Sequence, residues 1–295
     1  MTDSRNYMNF RAHYYDKVGF RGVEEKKSLQ ILLNEDPVDI EKLITFCLRF
    51  PLPVMYRPHV WKLVLGIVPP HPESYEFVMQ QRSQQYDDLR HTLKVTESID
   101  EGTSMSMAFL KMFLLQEGRL PMDDSNLPQN KEQESFVTIA TAVNDIFHED
   151  VDAYWVTIRI YSYLCKVKGL VGNMIKQFQM LLQKQNSQLY EHLQSRGALD
   201  KLPYDSWFHD IFAGVLPTGA LERIWDRLMG RACHVLVYVA LIIVVTFRQR
   251  ILSFGRADDI IQFLNKIPPD NAEVIVNEAI DLWEKNGSQT KPEVT

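Results

Sequence analysis

Apolar positions along this 295-residue chain recur mostly at helical spacing. Ile40, Leu43, Ile44, Cys47 and Leu48 fall on one face of an amphipathic helix. Ahead of them, Asp36-Pro37-Val38-Asp39 offers an N-cap, a proline at the first helical position and an acidic first turn; Pro51 and Pro53 end the run. A further helix opens over Pro58 to Leu65. Asn173 to Gln194 predicts one long amphipathic helix, with Met174, Phe178, Leu181, Leu182, Leu189 and Leu193 inward and Gly197 near its stop. Val276, Ile280 and Trp283 mark a last helix that stops before Gly287, and the polar residues 288–295 are expected to be a frayed, disordered tail. Alternating apolar and polar runs are lacking. The pattern predicts an all-α domain with no β-sheet.

Two segments depart from the one-stripe pattern. Val235 to Phe247 is apolar all round and flanked by Arg231, Arg248 and Arg250. As a helix it extends roughly 20 Å, against roughly 30 Å of hydrocarbon core, so it predicts a buried helix and no transmembrane segment. Its Val and Ile content leaves a buried strand open. Met105 to Leu115 carries two apolar faces, one of Met105, Phe109, Met112 and Phe113, the other of Leu110 and Leu114. One stripe suffices to seat a helix in its domain, so the first face is a candidate partner-binding groove, with Lys111 and Glu117 at its rim. The alternative is that both faces are core. Met122 to Glu132, polar, acidic and proline-containing, predicts an exposed loop.

Composition adds exclusions. Net charge is -6 and no basic stripe carries interleaved aromatics, which argues against nucleic-acid binding. Cys47, Cys165 and Cys233 are odd in number, widely spaced and set among apolar residues, as expected of buried, reduced thiols in the cytosol. The eight histidines have no partners at metal-ligand spacing, and no phosphate loop, HExxH or nucleophile elbow occurs, so neither a metal nor a cofactor is expected. Met1-Thr2-Asp3-Ser4-Arg5 lacks the apolar core of a signal peptide.

The most specific sequence lies further on. Trp207-Phe208-His209-Asp210-Ile211-Phe212-Ala213 is followed by Leu216-Pro217, by Leu221-Glu222-Arg223-Ile224-Trp225-Asp226, and by the apolar helix. Upstream, Arg57 and Trp61 stand four apart, after Pro53 and before Leu65-Gly66, on adjacent turns of one helix. This order resembles the TBC domain, the all-helical module that activates Rab GTPases. The resemblance covers roughly residues 50 to 250. It implies N-terminal helices over 1–49 leading into that domain, and further helices over 251–287 packed on it. Arg57, Trp61, Trp225 and Asp226 would be its structural motif, since a buried arginine needs a carboxylate.

The family's two catalytic signatures are degraded. The arginine-finger motif, similar to Ile-x-x-Asp-x-x-Arg-Thr, is met by Gln84-Gln85-Tyr86-Asp87-Asp88-Leu89-Arg90-His91, which keeps Asp87 and Arg90 but has Gln84 and His91 for the isoleucine and threonine. The glutamine-finger motif, similar to Tyr-x-Gln-Gly-Met, falls on Phe136-Val137-Thr138-Ile139-Ala140. Thr138 replaces the glutamine and Ile139 the glycine, and Gln133 is five residues away. An arginine finger is worth roughly 10³–10⁵ in rate, and a glutamine orients the attacking water. A threonine lacks the paired oxygen and NH₂ of an amide, and Ile139 is expected to crowd the approach. The degraded signatures imply no catalytic residues. Separately, the sequence is most similar to one particular member of the family, and that resemblance implies a stabilising subunit role: binding the coiled coil of hamartin, and through it tuberin, in an assembly that acts on Rheb and restrains mTORC1 signalling. The location implied is cytoplasmic, with peripheral recruitment to lysosomal or vesicle membranes. The alternative is a Rab GTPase activator with Arg90 as finger.

Overall fold

A computed structural model describes residues 20–286. The N-terminal pentapeptide and the tail at 288–295 lie outside the described residues. Within them the chain forms fourteen α-helices and no strand. These are α1 (Phe20–Leu33), α2 (Ile40–Arg49), α3 (Arg57–Val64), α4 (Tyr75–Val95), α5 (Met105–Gln116), α6 (Lys131–Ile146) and α7 (Asp150–Val167). They continue as α8 (Val171–Gln185), α9 (Ser187–Ser195), α10 (Thr218–Met229), α11 (Val235–Thr246), α12 (Arg248–Ser253), α13 (Ala257–Leu264) and α14 (Pro269–Asn286).

The capping chemistry explains where several helices begin. Asp39, not Asp36, caps α2: its side chain accepts from the Lys42 amide, which leaves Pro37 ahead of the helix rather than in its first turn. Asn130 caps α6 by accepting from the Gln133 amide at 3.0 Å, so the last residues of the expected loop are already helical. Asn186 divides the segment expected as one long helix. It leaves helical geometry at φ -150°, its amide closes α8 on the Leu182 carbonyl, and its side chain opens α9 by accepting from Leu189. An asparagine competes well for such end positions, and the apolar period on either side conceals the break.

One continuous core of buried side chains runs from Leu29 to Trp283. In α11 every residue from Val235 to Val244 is buried, and the helix packs between α8 and α14. A helix surrounded by protein can be apolar all round, and no helix among the described residues is long and apolar enough to cross a membrane. In α5 the expected groove is absent. Phe109 and Met112 are fully buried, and Phe109 packs against Tyr86 and Tyr154. Phe113 stacks on Phe136 at 5.1 Å, while Met105 is half-buried beside the Tyr86 hydroxyl. Lys111 is no rim residue either: it is buried, donating to the Ser98 carbonyl at 2.6 Å and facing Asp124 at 3.0 Å. Both faces of α5 are used because α4 and α6 flank it. Cys47 and Cys233 are buried as expected, but Cys165 is exposed near the end of α7.

Candidate functional site

α3 and α10 meet at a buried ionic node. Asp226 accepts from Arg57 Nε at 3.0 Å, Arg57 Nη2 at 3.1 Å, Trp61 Nε1 at 2.9 Å and the Leu52 amide at 3.3 Å. The remaining arms of Arg57 donate to Glu222 at 2.9 Å and to the Leu52 carbonyl at 3.0 Å. Burial pushes the Asp226 carboxyl above the usual carboxylate range, and the Arg57 fork and Trp61 indole pull it back. A planar guanidinium suits this because two of its N–H groups meet one carboxylate in parallel while the others reach a third and fourth acceptor. With every strong donor satisfied, the node has no free group to offer a substrate. It holds α3 against α10 and the loop before α3.

The node continues inward. Trp61 and Trp225 lie with ring centres 6.1 Å apart, and Trp225 Nε1 donates to the Ile211 carbonyl at 3.0 Å. Ile211 belongs to a tight turn that starts with one π-helical turn at Asp205–His209. Ile211 and Phe212 both have positive φ, 47° and 64°. A β-branched residue there is costly, and it persists where the surroundings dictate the backbone. Trp207, Phe208, Ile211 and Phe212 are buried by this turn, so apolar burial and the Trp225 bond hold it.

The polar residues of the same turn line a cleft of about 400 Å³ against α6 and the end of α7. Ser206, His209 and Asp210 come from the turn, Ser135 and Thr138 from α6, and Tyr161 from α7. Gly214, at φ 74°, lies beside Thr138, where an added Cβ would make an ordinary contact with Thr138 Cγ2 at 3.6 Å. Thr138, which the resemblance assigns to the place of a catalytic glutamine, lines the cleft. Its hydroxyl donates to the Glu134 carbonyl of its own helix at 3.0 Å. Ile139, expected to crowd this site, is instead fully buried in the core, one position round the helix. Gln133 is committed to the start of α6, where its carbonyl accepts from the Gln129 amide at 2.6 Å. Burial pushes the half-buried Asp210 carboxyl upward, against the pull of Ser135 and His209.

Arg90 lies elsewhere. It projects from α4 to the first turn of α7, with Nη1 3.5 Å from Asp150 and 3.4 Å from the Tyr86 hydroxyl, and 35% of its side chain exposed. Asp150 and the cleft residue Tyr161 are eleven residues apart on α7, roughly 16 Å along a helix axis. Gln84 donates to Asp88 at 2.9 Å on the same helix and adds nothing to the cleft. Arg90 and Thr138 thus lie against different turns of α7, whereas the two fingers act together on one phosphate and its attacking water.

Several structural contacts had no signal in the spacing. Arg227, buried in α10, donates to the Cys47 and Phe50 carbonyls at 2.8 Å each and to Glu284 of α14 at 3.2 Å, closing the end of α2. Lys62 reaches Asp152 at 2.7 Å and joins α3 to α7. An added Cβ on Gly230 would lie 2.9 Å from the Leu48 amide nitrogen, so glycine permits the contact of α10's end with α2. Arg227 follows Asp226 directly, and a second charge inside Ile224 to Met229 was the one available hint.

The Rab-GTPase-TBC domain model matches residues 107–252. TBC1 domain family member 7 of Homo sapiens is 45% identical over 279 residues, covering 94% of this chain and 95% of that protein. Its namesake of Danio rerio is 43% identical over 278 residues, again at 94% and 95% coverage. Among solved structures, the Ypt/Rab-GAP domain of Gyp1p aligns with a TM-score of 0.59 at 15% identity, over 89% of this chain and 98% of that one. A Chlamydomonas flagellar RabGAP TBC domain aligns with a TM-score of 0.53 at 16% identity, over 97% and 95%. These two likenesses concern the fold, which is the all-helical one described above. Identity at this level over 94% of the chain joins the Arg57–Trp61–Asp226 node and the helical order in one conclusion: the chain belongs to the TBC domain family.

Proposed function

We propose that this protein is a non-catalytic TBC subunit. It binds the coiled coil of hamartin, and through it tuberin, and stabilises the tuberous sclerosis complex, whose GTPase activation on Rheb restrains mTORC1 signalling. The carrying observation is Thr138: the cleft position assigned to a water-orienting glutamine holds a short hydroxyl already bonded to the Glu134 carbonyl. Thr138 is unable to present the acceptor and donor pair that aligns water. Recruitment to lysosomal or vesicle membranes would follow from the complex. Two measurements test this. Single-turnover GTP hydrolysis by a panel of Rab proteins should rise little on adding the protein, and the protein should co-purify with the hamartin coiled coil. A robust acceleration lost in Arg90→Lys would overturn the non-catalytic assignment. Failure to co-purify would overturn the partner.

A second reading is a Rab activator with Arg90 as finger, the GTPase supplying its own glutamine. The partial exposure of Arg90 favours it. Its grip on Asp150 argues against it, because a finger must leave that contact to reach a phosphate. The substitution Thr138→Gln alone should not create activity, since Arg90 remains at the far end of α7.

A further inference from the structure

The cleft around Thr138 has a chemistry of its own. Glu132, Glu134, Asp205 and Asp210 line it, against Lys131 and Lys168. Lys168 is 2.7 Å from Glu132 and Lys131 is 2.8 Å from Asp205, all four at the exposed rim. Two carboxylates remain. Asp210, half-buried in the turn, and Glu134, on the first turn of α6, have no lysine or arginine within salt-bridge distance among the described residues. The walls between them carry the Ser135, Thr138 and Ser206 side chains, and the Tyr161 ring and Leu164 provide aromatic and aliphatic surface.

The N-terminus of α6 and the C-terminus of α7 both end at this cleft. Helix ends of opposite sign contribute comparable fields, so the side-chain charges decide what the cleft favours. The net side-chain charge is negative, and its half-buried member, Asp210, is faced by no lysine or arginine at salt-bridge distance. A planar cation with several N–H groups fits all three wall chemistries together: it pairs with the carboxylates, donates to hydroxyls and lies on an aromatic ring. The volume, about 400 Å³, exceeds what a lone ion needs and has room for one long side chain.

We propose that this cleft receives an arginine side chain presented by a partner protein, held between Asp210 and Glu134 over Tyr161. The charge complementarity of the cleft carries the inference, which stands whether or not the assembly partner proposed above is correct. Asp210 is raised by burial, with Glu134 and Asp205 adding to that and Ser135 and His209 opposing it; an arriving guanidinium would offset the cost of ionising it.

The test uses the full chain, isotope-labelled, and three capped tripeptides: acetyl-Gly-Arg-Gly-amide and the same peptide with lysine or citrulline in the centre. The arginine peptide should give saturable shifts at the amides of Ser135, Ser206, His209 and Asp210. Lysine should bind more weakly, and citrulline, which keeps the shape but not the charge, should not bind. Asp210→Asn should weaken the arginine peptide about tenfold, about 1.4 kcal/mol. If Asp210→Asn loses its thermal melt, Glu134→Gln, at an exposed position, should show the same weakening in a folded protein. Absence of saturable shifts, equal binding of citrulline, or unchanged affinity in the folded variants would overturn the proposal. Free arginine binding more tightly than the capped peptide would overturn the assignment to a partner's side chain and point to a small molecule.

Discussion

At the scale of single residues, charge placement is strict. Asp226 collects four donors in the core, so removing one partner strands the other. Arg57→Met should destabilise the fold by about 3–5 kcal/mol, because a carboxylate is left buried without its cation. The double variant Arg57→Met with Asp226→Leu should recover part of that loss. Chemical denaturation of the three proteins reads this directly, and a double variant no better than the single would contradict it. Trp61→Ala should cost about 3–5 kcal/mol through the cavity beside Trp225 and Phe147. Glu97 works the other way. It is exposed and closes α4 at φ 57°, where a side chain is disfavoured. Glu97→Gly should raise stability by up to about 1 kcal/mol, visible as a small upward shift of the melting temperature.

Among elements, the fate of α5 shows what a periodic pattern can and cannot say. Two apolar faces meant that two neighbours were needed, but whether the second was a partner chain or the domain itself depended on where α4 and α6 lie. They lie on both sides. Met112→Glu should therefore lower the melting temperature steeply and reduce soluble expression, since it places a charge at a fully buried position. A normal melt for that variant would mean that α5 is exposed after all. At the other helix contact, Gly230→Ala should destabilise by about 1–3 kcal/mol, because its Cβ would strike the backbone at Leu48. The long helix expected over 173–194 failed for a local reason: one asparagine supplies the end of α8 and the start of α9 at once.

At the scale of the whole molecule, the helical class, the buried α11 and the Arg57, Trp61, Trp225 and Asp226 set were legible in the chain. Helical period is a local property and a family motif is a linear one. A buried arginine demands a carboxylate wherever the chain goes, and the family resemblance, not the spacing, named Asp226 as the one for Arg57. The assignment of Thr138 to the glutamine position is likewise a linear reading, resting on the family resemblance alone. What only the tertiary structure decided is how distant segments converge. It set Arg90 and the Thr138 cleft against different turns of α7, turned Ile139 into the core, committed Arg227 to the end of α2, and left Asp210 and Glu134 in one cleft with no lysine or arginine at salt-bridge distance. The physical reason is the same in each case. Burial and salt-bridge distance are relations between residues that are far apart in the chain, and a spacing pattern records only the face a residue occupies on its own helix.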